Sequence, residues 1–82
     1  MPFILIWADE AKKDLKKLET HIAQRIFLKI NDANATDSLL LEKMKGRTDY
    51  KYRVGDYRVF FSFKGNNTYL VVAIEKRENA YN

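Results

Sequence analysis

Two runs of strand-like residues, Tyr50 to Val54 and Tyr57 to Phe63, flank the dipeptide Gly55-Asp56. A two-residue connection with glycine first suits a type II′ hairpin turn, and such a turn sets which residues lie opposite each other. Val54 then faces Tyr57, Arg53 faces Arg58, and Tyr52 faces Val59. Side chains alternate across a sheet, so Tyr52, Val54, Tyr57, Val59, Phe61 and Phe63 share one face, the natural one to bury. The other face receives Lys51, Arg53, Arg58, Phe60 and Ser62. Two guanidinium groups directly opposite repel, at roughly a few tenths to 1 kcal/mol, and a third cation stands beside them. An anion is expected on that face.

The rest of the chain supplies a cover for the apolar face. Phe3 to Trp7 is β-branched and aromatic and reads as a short strand. Asp9 is a candidate helix N-cap. Ala11, Leu15, Leu18 and Ile22 then recur at helical spacing, with Lys12, Lys13, Lys16 and Lys17 filling the opposite face. A second set, Ile22, Ala23, Ile26, Ile30 and Ala33, continues to the polar stretch Asn31 to Asp37, so two helices meet near Glu19 and Thr20. Leu39, Leu40, Leu41 and Met44 form an apolar cluster ending at Gly46, expected as a helical turn or loop plugging the edge of the core. After a turn at Gly65-Asn66-Asn67, the segment Tyr69 to Ile74 is apolar at nearly every position, as in a strand covered on both faces.

Composition bounds what such a chain does. With 82 residues it is expected to form a single domain, 1–82, with a small core. Cysteine is absent and His21 is the only histidine, which favours a reducing compartment and leaves no cluster of soft ligands for zinc. The apolar start, Met1 to Trp7, is too short for a signal peptide or a membrane span. Net charge is +4, but residues 43–64 hold seven cations and two carboxylates, leaving −1 for everything else. Convergence on one face points to a polyanion more strongly than the total does. A blander account, a solvated surface with Asp49 and Asp56 as counter-ions, competes with it. The lysines of the first helix are best explained as its wet face, and His21 by capping or exposure. Asp9 and Glu10, a conceivable acid–base pair, are accounted for by a helix N-terminus. Trp7 and the tyrosines are expected mostly in the core, apart from Tyr81.

The segment YKYRVGDYRVFF, a further strand and then KRENAY resemble the C-terminal half of the RelE toxins of the RelE/ParE superfamily. The strand with Trp7, the two helices and the LEKMKG segment follow the same order, so the likeness spans nearly the whole chain. It implies an α+β fold with two N-terminal helices packed on a mostly antiparallel, roughly four-stranded sheet. It also implies a cytoplasmic toxin held inactive by a RelB-like antitoxin in an oligomeric complex, and metal-independent cleavage of mRNA in the ribosomal A site, with no cofactor and no membrane partner. Lys51 and Arg53 match the family's basic pair before the hairpin turn, Arg58 the arginine after it, Arg77 the arginine after the last strand, and Tyr81 the aromatic four residues on. Two positions depart: Arg53 stands where RelE members carry lysine, and Lys76 where many relatives place histidine.

Such cleavage needs a proton acceptor for the ribose 2′-OH, stabilisation of a phosphorane-like transition state, and protonation of the leaving oxygen. Arginine cannot serve as the base, so Lys51 is the candidate, since cations beside it disfavour its charged form. Arg53 and Arg58 are expected to clamp phosphate oxygens and Arg77 to neutralise or protonate the leaving group. Tyr81 or Phe60 would stack on a base. Lys43, Lys45, Arg47 and Lys76 extend the expected RNA-binding surface. A ParE-like toxin, which binds DNA gyrase without nuclease chemistry, shares the expected fold, as does an inactive RNA- or protein-binding relative. Lys51, Arg77 and Tyr81 together favour the ribonuclease.

Overall fold

The computed structural model describes residues 2–44 and 49–76. The chain runs β1 (Ile4–Trp7), α1 (Asp9–Lys17), α2 (Thr20–Ala35), β2 (Glu42–Lys43), β3 (Asp49–Val54), β4 (Tyr57–Gly65) and β5 (Thr68–Lys76). The strands form a five-stranded sheet in the order β1-β5-β4-β3-β2, with β1 parallel to β5 and every other pair antiparallel. An α+β architecture with two N-terminal helices therefore holds. The fifth strand is the two-residue β2. It arises from the segment expected as a helical turn or loop: Leu39 is buried, Leu40 is left 79% exposed, and Glu42 and Lys43 then pair with Lys51 and Tyr50. An edge strand this short offers little unpaired backbone to other chains.

The core is assembled from one side of each element. Ala11 of α1 and Ile26, Ile30 and Ala33 of α2 meet Val54, Val59, Phe61, Val71 and Ile74 of the sheet, with Leu39 closing the edge. Trp7 and the tyrosines Tyr50, Tyr52, Tyr57 and Tyr69 pack around this cluster half-buried, while Lys12, Lys13, Lys16 and Lys17 are all exposed. Phe63 departs from the expected buried face. It lies towards the far end of β4, half exposed, with its ring 5.1 Å from that of Tyr69. Nor is β5 sandwiched between layers, since among the described residues both helices lie on one face of the sheet, and Leu70, Val72 and Ala73 are only half-buried. A bulge at Val72 interrupts alternation there: Phe60 pairs with Ala73 and Phe61 with Val71.

Local polar contacts complete the frame. Ala8, not Asp9, occupies the N-cap of α1 and its side chain makes no capping bond, so Asp9 serves only as a charge in the first turn. Asn34 at the end of α2 treats Phe3 as a strand partner would. Its Oδ1 accepts the Phe3 N–H and its Nδ2 donates to the Phe3 carbonyl, both at 2.8 Å. On the other side of β1, Ala8 N–H reaches the Val71 carbonyl at 2.9 Å, and beyond that point β5 has lost its neighbour. Asp14 of α1 substitutes for it, its Oδ2 accepting the Ile74 N–H at 2.9 Å. Backbone groups that would otherwise be stranded at these points are thereby satisfied.

Tyr69 stands among aromatic rings, edge-on to Phe3, Tyr50 and Phe61. Burial, and secondarily the nearby Tyr50 hydroxyl, raise its ionisation above the ordinary value of 10.0. A phenol that ionises less readily in the folded chain contributes stability that is intact below the unfolded value and lost as pH rises through the folded one. Urea unfolding followed from about pH 9 to about pH 11 should show a falling limb that Tyr69→Phe flattens. An identical alkaline limb in the variant would show that the limb does not come from Tyr69.

Candidate functional site: a cationic face on the central hairpin

The hairpin forms in the expected register, with Val54 opposite Tyr57, Arg53 opposite Arg58, Tyr52 opposite Val59 and Lys51 opposite Phe60. Gly55 has φ of +57° while Asp56 does not adopt positive φ, the sign pattern of a type II′ turn. Only glycine takes the first position without steric cost. Val54, Val59 and Phe61 bury one face, which leaves Lys51, Arg53, Arg58 and Phe60 on the other.

A recess of about 390 Å3 opens on this face, lined by Leu40, Glu42, Lys51, Tyr52, Arg53 and Arg58. Arg53 is exposed, whereas Lys51 and Arg58 are half-buried. The Nε of Arg58 is shielded from solvent and has no hydrogen-bond partner among the described residues. Its Nη2 lies 3.9 Å from Glu75, too far for a hydrogen bond. A desolvated donor without an acceptor costs about 1–3 kcal/mol, and this one belongs to a cation facing another cation. Both penalties fall when an anion with several acceptor oxygens enters the recess.

Glu42 is the residue that sequence reasoning missed. Its Oε1 lies 3.1 Å from Lys51 Nζ, across the β2–β3 pairing, and it is the only carboxylate lining the recess among the described residues. The signal was the LEKMKG segment itself, but without knowing that Glu42 pairs with Lys51 nothing ties the two. Other expected residues are not brought together. Lys43 pairs with Tyr50, so alternation puts it on the opposite face from Glu42. Lys76 pairs with Tyr57 and likewise falls on the helix side, away from Lys51, Arg53 and Arg58. Lys45, Arg47, Arg77 and Tyr81 lie outside the described residues. His21 is exposed near the start of α2, and no group of three or more potential metal ligands occurs among the described residues. None of their helices is long and apolar enough to cross a membrane.

A helix pair packed on one face of a five-stranded sheet is a fold that recurs in known toxins. The chain from the toxin–antitoxin complex RelBE2 of Mycobacterium tuberculosis superposes with a TM-score of 0.77 at 17% identity, over 94% of this chain and 100% of that one. The chromosomal ParDE system of Pseudomonas aeruginosa gives 0.73 at 14% identity, over 93% and 97%. A chain of the RelB–RelE antitoxin–toxin complex of Methanococcus jannaschii is 31% identical, with a TM-score of 0.71, over 93% of this chain and 94% of that one. The family model described as the ParE toxin of type II toxin-antitoxin system, parDE, matches residues 5–81. No curated protein sequence matches significantly. This chain belongs to the RelE/ParE superfamily and is the toxin of a type II toxin–antitoxin system.

Proposed function

We propose that this toxin is a metal-independent endoribonuclease that cleaves mRNA, in the ribosomal A site, by attack of a ribose 2′-OH on the adjacent phosphate. The observation that carries the reading is the buried, unpartnered Nε of Arg58 in a recess it shares with Lys51 and Arg53. A scissile phosphate offers the acceptor oxygens this constellation is short of, and negative charge grows on those oxygens in the transition state. Arg53 and Arg58 clamp them, so the stabilisation is greatest where it accelerates the reaction. Phe60, beside Lys51 on the same face, and Tyr81 stack on bases, and Arg77 neutralises the leaving oxygen. Lys45 and Arg47 extend the RNA track. A RelB-like antitoxin restrains the toxin in the cytoplasm in an oligomeric complex.

The proton acceptor is assigned to Lys51 and Glu42 acting together. An ammonium has no lone pair, and a carboxylate at 3.1 Å from it does. The pair accepts the 2′-OH proton on the Glu42 carboxylate, beside the Lys51 ammonium. Translation in vitro with mapping of mRNA ends tests the whole reading. Lys51→Ala and Glu42→Gln should each slow cleavage by about 10²- to 10⁴-fold, with Glu42→Asp retaining most activity. Arg77→Ala should slow it as well. Intact mRNA with the natural sequence would sink the nuclease, and full activity in Glu42→Gln would return the base role to Lys51 alone.

Gyrase binding without cleavage is the second reading, favoured by the ParE family model and the ParDE superposition. Against it stands the recess. A protein-docking surface has no need of three cations gathered around one recess, one of them with a desolvated free donor.

A further inference from the structure

Behind the hairpin tip, on the helix side of the sheet, lies a second cleft of about 500 Å3 lined by His21, Ile22, Arg25, Ile26, Val54, Gly55, Asp56, Tyr57 and Lys76. Two separate pieces of chain send three basic groups to it. His21 and Arg25 stand four residues apart on one face of α2, and Lys76 ends β5 opposite Tyr57. Arg25 is drawn against the turn itself: a Cβ at Gly55 would sit 3.6 Å from its Nη2. Among the described residues none of the three makes an ion pair and Asp56 is the one carboxylate in the lining. Guanidinium, ammonium and imidazole donors around an open cleft, with the Tyr57 residue at its wall, form a receptor for a phosphate group.

We propose that this cleft is a second phosphate-binding subsite, taking a phosphodiester of the RNA strand that flanks the scissile one. It rests on the ribonuclease reading, which brings the strand to the hairpin. Arg58 and Tyr57 are consecutive in β4, and their pairing partners Glu75 and Lys76 are consecutive in β5, so the two clefts lie back to back at one end of the sheet. A strand bound by Arg53 and Arg58 passes the tip at Gly55-Asp56 and is met there by Arg25 and Lys76. The subsite thus explains where the displaced Lys76 acts: on the substrate's flank and not on the scissile phosphate.

The test is binding of 2′-O-methyl RNA, which lacks the nucleophile, to the purified toxin and to Arg25→Gln. With an octamer, the variant should bind about fivefold to tenfold more weakly, and the slope of log affinity against log salt should shrink by about 0.7, the value of one phosphate contact on a single strand. Arg25→Lys should restore most of both. With a trinucleotide confined to the recess, Arg25→Gln should bind like the wild type. An unchanged octamer slope overturns the subsite, and so does an equal loss with the trinucleotide. So does a loss confined to a polyglutamate probe, which would assign the cleft to an acidic protein partner. Arg58→Met measured in parallel separates the two levels. If it weakens both lengths while Arg25→Gln weakens neither, the subsite alone falls; if Arg58→Met too leaves RNA binding unchanged, the ribonuclease reading falls with it.

Discussion

Arg58→Met should slow mRNA cleavage by orders of magnitude while making the free protein more stable. The aliphatic stem is kept, so packing against the sheet survives, but the cation facing Arg53 and the unpartnered Nε are both removed. Relief of the repulsion and of the unsatisfied donor together should raise stability by roughly 1 kcal/mol. Loss of a preorganised donor to the reacting phosphate should slow cleavage by about 10²- to 10³-fold. Urea unfolding and mapping of mRNA ends measure the two effects on one preparation. Opposite signs in stability and activity mark a residue retained for function at the expense of the fold. A variant that cleaves normally, or one that loses several kcal/mol of stability, would make Arg58 a structural residue and remove the main support for the nuclease.

The largest effect on stability is expected at Phe61. Its side chain is fully buried, and it pairs with Tyr50 of β3 on one side and Val71 of β5 on the other. It thus ties the central strand to both neighbours immediately beside the bulge. Phe61→Ala should cost about 3–5 kcal/mol in urea unfolding, a large share of what a domain of this size has in total. Because Phe60 follows the opposite face one residue earlier, loosening β4 at this point also loosens the cationic surface, and cleavage should fall with stability. A cost below about 1 kcal/mol would mean that the core closes over the missing ring.

Legibility of the fold followed the range of the interactions involved. The hairpin register was readable because a two-residue turn with glycine at positive φ admits one pairing, and the pairing alone places Arg53 against Arg58. Helix periodicity located Ile26, Ile30 and Ala33 in the core for the same local reason. Errors came where a neighbour outside the local window decides. Asp9 has the residue type of an N-cap, yet the chain leaves β1 through Ala8 and the helix starts at Asp9 itself, one residue earlier than a cap at Asp9 would serve. The leucine cluster at 39–41 has helical residue types, but the open edge of β3 captures Glu42 and Lys43 as a strand instead.

The cationic face of the central hairpin was determined by local geometry, since alternation along two strands and one turn suffices to build it. Everything that gives that face a mechanism depended on the strand order. The order sets β2 beside β3 and so delivers a carboxylate to Lys51. By placing β5 beside β4 it sends Lys76 to the helix side, next to Arg25. Local propensity governs which segments become strands and which way their side chains alternate. Which strand lies next to which is settled only when the whole core is buried, because that choice minimises a sum over contacts far apart in the chain.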